Sequence, residues 1–202
     1  MVDAAQKLYK RTVSLDQRAR LPLLDMTLPA LCSMSPPQYT SFMKSFSLLA
    51  DADERHSLFE WVLAQILIRH LRPHYVSVRS PVTLYYSMNG LAEPISVLLS
   101  TMARVGHSEE WVDPSFQAAK ASLPNLNIAL LPASQCTLRN LAGALKKLSR
   151  ATARLRGRLI DASVAAICAD NHVDVKEAEL LRGIADLLDC PVPPLVPKVA
   201  EA

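Results

Sequence analysis

Glycine is scarce in this chain of 202 residues, with only five, and aromatic side chains make up 5% of it. A β-sandwich or barrel needs many tight turns and a regular supply of strand-forming aromatics, so both shortages argue against one. Long apolar runs are also missing. The longest, around Trp61 to Ile68 and Pro94 to Met102, fall short of the ~20 residues that cross a bilayer. Met1 to Lys10 has no apolar stretch of the kind found in secretory leaders. The four cysteines, Cys32, Cys136, Cys168 and Cys190, stand singly without Cys-x-x-Cys spacing. That pattern suits free thiols in a reducing compartment better than a disulfide frame.

What is abundant points to helices. Half the residues are hydrophobic and fourteen are prolines. A chain of this length can bury roughly 70% of its extended surface, so a large core is within reach. The most informative pattern occurs twice, 117 positions apart, at Ala52-Asp53 onward and at Ala169-Asp170 onward. Each copy reads Ala-Asp, a short polar gap, a Ser or Asp, and a Glu three positions later. Ser57 with Glu60, and Asp174 with Glu177, have capping-box spacing, in which the first side chain accepts from an exposed amide and the Glu reaches back. Leu63, Leu67 and Leu71 in the first copy correspond to Leu180, Ile184 and Leu188 in the second. Spacing of four puts each trio on one helix face.

Other helices are read from their punctuation. Ala4 to Val13 is amphipathic, and Asp16 to Met34 predicts a helix that bends or breaks at Pro29. Ser35-Pro36-Pro37-Gln38 opens a helix carrying Tyr39, Phe42, Phe46 and Leu49 on one stripe. Leu58 to Leu71 is stopped by Pro73. His74 to Asn89 reads as a loop or short extended segment, and Leu91 to Val105 as a helix with Gly106 at its C-terminal cap. Asp113-Pro114 starts a short helix that ends before Pro124, and Asn125 to Gln135 is a connector. From Thr137, Leu141, Leu145, Leu148, Leu155 and Leu159 mark further helix with a break near Ser149 to Thr152, and Val175 to Leu188 closes the fold. The prolines from Pro191 to Pro197 make an extended tail.

Chemistry is thinly signalled. The acidic residues of the two loops, Asp53, Glu60, Asp170, Asp174 and Glu177, are the weak candidates for a metal. Neither loop has the sixth-position Gly or twelfth-position Glu of a calcium loop. Capping explains Glu60, Asp174 and Glu177 without a metal. His70 and His74 are four apart, but no Glu follows His70 and Pro73 intervenes, so H-E-x-x-H is absent. No G-x-S-x-G elbow, Gly-rich phosphate loop or Cys-His spacing occurs, and no catalytic role is expected of this chain. Between Thr137 and Ile160 there are seven cations and no acid. In a continuous helix, Lys147, Arg150, Arg154 and Arg158 would share a face turned to a partner or an anionic membrane. The reading that competes is an ordinary solvated face, given the net charge of +3. Nucleic acid is not expected, because no aromatics interleave with these cations.

The two Ala-Asp segments resemble the loop and helix of tellurite-resistance TerB-like domains, which also occur in membrane-anchored DnaJ-type co-chaperones. TerB-like loops carry Gly where this chain has Glu54 and Asn171. The order Arg20-Leu-Pro-Leu-Leu-Asp25, Leu28-Pro-Ala-Leu31, Met34-Ser-Pro-Pro-Gln-Tyr39, Ser57-Leu-Phe-Glu60, Arg69-His-Leu71 and Asp189-Cys-Pro-Val-Pro-Pro194 is similar to the cytoplasmic C-terminal region of bacterial HtpX-like membrane zinc metallopeptidases. The expectation is an all-α multi-helix bundle with two TerB-like helix-loop-helix repeats, packed together about a pseudo-twofold axis. Residues 1–190 form one domain, with repeat loops at 51–60 and 168–177, and 191–202 a tail. The resemblance implies a non-catalytic regulatory or protein-interaction region on the cytoplasmic side of the bacterial inner membrane, acting in envelope protein quality control. Its partners are then the protease and membrane portion of its own parent, with zinc held only in that upstream portion. The alternative is a stand-alone TerB-like cation-binding or stress-response domain.

Overall fold

The computed structural model describes residues 19–52, 58–77, 82–105, 107–190 and 192, with 8, 12 and 14–16 nearer the start. They form helices and no strand. In chain order these are α1 (Arg20–Cys32), α2 (Pro36–Ala52), α3 (Leu58–Tyr75), α4 (Ala92–Met102), α5 (Glu109–Ala121), α6 (Leu138–Leu148), α7 (Ala153–Ile167) and α8 (Val175–Leu187). Two short 3₁₀ turns, Asn89–Leu91 and Ala133–Gln135, precede α4 and α6. The expected helix at Ala4 to Val13, the first repeat loop from Asp53 to Ser57, Gly106 and all but Val192 of the proline tail lie outside the described residues.

The chain is all-α, and α4 is its centre. Every residue from Pro94 to Met102 is buried, as fits a helix covered on all sides. α5, α6 and α7 pack around it. Three buried hydroxyls on α4 are satisfied locally. Ser96 Oγ and Ser100 Oγ accept from the amides of Ala129 and Leu131 at 3.2 and 2.9 Å, and Thr101 donates to the Val97 carbonyl. Alternate amides of the extended connector are thereby fastened along the central helix. α5 lies on α7, where Phe116 is fully buried and Ser115 Oγ donates to the Ala166 carbonyl at 2.6 Å.

The second layer is the pair α3 and α8, with α1 against α3 and α8 against α7. Contacts advance in step along the pair: Val62 lies at Gly183, and His70 and Arg69 lie at Asp186 and Leu187. The two helices therefore run in the same direction. A Cβ on Gly183 would come within 2.2 Å of Val62 Cγ1, so glycine allows the close approach here. α8 starts with the complete capping box read from the sequence: Glu177 N donates to Asp174 Oδ1 and Asp174 N to Glu177 Oε2, both at 2.8 Å. It ends in a Schellman motif, with Cys190 N bonded to Ala185 O, Asp189 N to Asp186 O, and Asp189 left-handed at φ 53°. Arg69 of α3 and Arg156 of α7 both reach the Asp189 carboxylate.

Two prolines read as a break or a stop, Pro29 and Pro73, and one read as a helix start, Pro114, lie inside helices. Pro29 is within α1, Pro73 within α3 and Pro114 within α5. α3 continues to Tyr75 because that residue is anchored: its ring stacks on Tyr39 at 4.1 Å and its hydroxyl donates to the Leu31 carbonyl. α5 starts at Glu109 rather than at Asp113-Pro114. Glu109 and Glu110 suit the positive end of the helix dipole, and the buried stripe Val112, Phe116, Ala119 holds the helix against its neighbours. Tertiary packing outweighs the one lost backbone bond.

Candidate functional site

The loop between α7 and α8 gathers the strongest cluster of titratable groups. Asn171 takes the left-handed conformation at φ 62°, a strain that asparagine tolerates well. Asp170 Oδ1 accepts from the His172 amide at 2.9 Å, closing an Asx turn. Across from this loop is a residue the sequence did not single out. His107, in the link between α4 and α5, has a fully buried side chain. Its Nδ1 lies 3.1 Å from the Val105 carbonyl and 3.3 Å from Glu177 Oε1. A carbonyl can only accept, so Nδ1 carries the proton. Nε2 is buried without a hydrogen-bond partner and lies 3.9 Å from Asp170 Oδ2.

In the neutral ring, a bare lone pair therefore faces a carboxylate. A proton or a cation between them relieves that opposition. Burial pushes the Glu177 carboxyl above its usual range, against the lowering effect of the Asp174 amide. The Cys168 thiol is also raised, first by partial burial of its sulfur and then by Glu177 and Asp170. A thiol held neutral is a poor nucleophile, so the cluster does not read as a cysteine catalyst. Among the described residues no three His, Cys, Asp or Glu side chains form a ready-made metal cage.

The remaining candidates are dispersed. Asp53 lies outside the described residues, and Glu60 stands in the first turn of α3. Asp170, Asp174 and Glu177 come together at the start of α8. The continuous basic helix is not found. α6 ends at Leu148 and Thr152 caps α7 by accepting from the Leu155 amide, so Lys147, Arg150, Arg154 and Arg158 are shared between a helix end, a turn and a second helix. All four are exposed. His70 and His74 do share α3, but His70 pairs with Asp186 at 3.2 Å, and this partner raises its pKa.

A cleft of about 570 Å³ opens between α4, the connector and α6. Its walls include Asn127, Asn140, Arg139 and the Lys147–Glu93 ion pair, and its lining contains no histidine or cysteine. Such walls can hold a polar ligand. No helix among the described residues is long and apolar enough to cross a membrane. Neither models of protein families, curated proteins nor solved structures give a match to this chain.

Proposed function

We propose that this chain is a non-catalytic docking module that serves a membrane-bound zinc metallopeptidase from the cytoplasmic side of the bacterial inner membrane. The observation that carries the reading is the apolar face left open by α1 and α2. Met26 is 78% exposed and Leu48 61% exposed. Phe42, Met43 and Phe46 are only half-buried, and no described side chain of α2 is buried. Large apolar side chains left exposed on these two helices support a protein contact there. The ordered segments similar to HtpX-like C-terminal regions, most of them on α1, α2 and α3, name the partner. In the same reading α3 and α8, which lie side by side, are the second helices of two TerB-like repeats.

The test is capture of the parent's membrane and protease portion by this chain. Retention should fall at least tenfold in Met26→Asp and Phe46→Asp while helicity stays unchanged. Equal retention by these variants sinks the reading, as does an upstream frame that encodes neither membrane helices nor H-E-x-x-H.

A second reading has its own observation, the unpartnered Nε2 of His107 opposite Asp170. A cation between them takes one nitrogen and one carboxylate oxygen at about 2.0–2.2 Å each and completes its shell with water. Calorimetric titration with zinc, manganese and calcium tests this. Saturable heat that is lost in Asp170→Ala and His107→Ala supports a cation-binding domain; no heat rejects it.

A further inference from the structure

We infer that the surface where residues 82–86 meet the α6–α7 turn is a seat for an anionic lipid bilayer. The amides of Leu84 and Tyr85 donate to the Arg150 carbonyl at 2.9 and 3.3 Å, and the Thr152 amide donates back to the Tyr85 carbonyl at 3.1 Å. Tyr85 and Ala151 form an isolated parallel bridge. Extended backbone alternates its side chains between two faces. Ala151 is buried and Tyr85 half-buried, so Leu84, Tyr86 and Arg150 belong to the opposite, outer face. Their exposure agrees: Tyr86 is 77% and Leu84 51% exposed, and Arg150 is exposed beside them.

An apolar tip is thus tied by backbone bonds to the most basic part of the chain. Lys146 and Lys147 form the last turn of α6, and Arg154 and Arg158 lie on the exposed stripe of α7, opposite buried Leu155 and Leu159. Among the described residues, of these cations and Arg150 only Lys147 meets an acid, Glu93 at 3.5 Å, and that pair is largely solvated.

The mixture of residues selects the partner. Exposed Val82 and Leu84 gain from entering the acyl boundary, tyrosine favours the headgroup level, and the surrounding cations meet anionic headgroups. A nucleic-acid surface would carry several stacking aromatics among the cations, whereas here only Tyr86 is outward-facing. Each cation in reach adds about fivefold to partitioning, and burying Leu84 adds roughly tenfold or more.

The experiment is co-sedimentation of the full chain with vesicles of phosphatidylcholine alone and of phosphatidylcholine mixed with phosphatidylglycerol. Binding should require the anionic lipid and weaken with salt. Leu84→Asp with Tyr86→Asp should reduce it tenfold or more, and Arg150→Gln or Arg154→Gln about fivefold each. Both sets lie on the surface and keep the backbone bonds, which circular dichroism verifies. Equal binding to neutral vesicles overturns the inference, as does indifference to these substitutions. So does retention on polyglutamate or single-stranded DNA without vesicle binding. Met26→Asp should leave vesicle binding intact, so failure of the docking reading and failure of this one are separately visible.

Discussion

The helix at the centre of the fold and a helix near its N-terminal side place their apolar residues differently. α4 buries every position from Pro94 to Met102. α2, longer and with two phenylalanines, buries none of its described side chains and is tethered near its start by the Tyr39–Tyr75 stack. α4 is the more apolar of the two and is covered by α5, α6 and α7. That coverage stabilises the C-terminal layers, whereas Met26 of α1 and Leu48 of α2 stay exposed.

The sharpest way to break this contrast is to truncate one phenylalanine in each region. Phe116→Ala in α5 should cost about 3–5 kcal/mol, whereas Phe46→Ala in α2 should cost less than about 1 kcal/mol. Chemical denaturation of both variants measures the difference, and equal costs would mean that α2 is part of the core. Next in size is Gly183→Ala, which drives a methyl into the stiff, buried Val62. Overpacking of this kind costs about 1–3 kcal/mol. Val62→Ala in the same chain should recover part of that loss, measured as a coupling energy in a double-mutant cycle.

Asp174→Ala should cost about 1 kcal/mol by removing the capping box, with faster amide exchange confined to the first turn of α8. The smallest effect is that of pH. The folded pKa of His70 is raised by Asp186, so its contribution is complete below about pH 6.5 and is lost as pH rises through the folded value. Glu177 is raised from 4.5 by burial, so stability also declines as its carboxyl ionises. Melting temperature should therefore fall gently from mildly acidic to neutral pH, and Asp186→Asn should flatten the upper part of that decline. The partly solvated His70 pair contributes less than about 1 kcal/mol.

What could be read from the sequence was what local chemistry determines. The Asp174–Glu177 box and the break near Ser149 to Thr152 are decided within three or four residues, and both are found. Asn171, in the loop before that box, is left-handed. Misreadings occurred where distant contacts decide. Pro73 looked like a stop because its lost amide bond is visible in the sequence and the Tyr75–Leu31 bond is not. His107 was passed over for the same reason. It stands in a link of unremarkable composition, and its partners Asp170 and Glu177 are more than sixty positions away. A single histidine flanked by Val105 and Trp111 gives no spacing to recognise.

The notch at Gly183 also bears on how the protein is made. Val62 lies 121 positions before the glycine that receives it. At roughly 5–20 residues per second, translation leaves the inner face of α3 uncovered for about 6–24 seconds before α8 exists. During that interval Val62 and Ile66, the side chains that Gly183 receives, lie open on the nascent chain. The close packing that locks the finished fold thus creates a period of chaperone demand during synthesis, and a slow codon stretch inside α7 would prolong it.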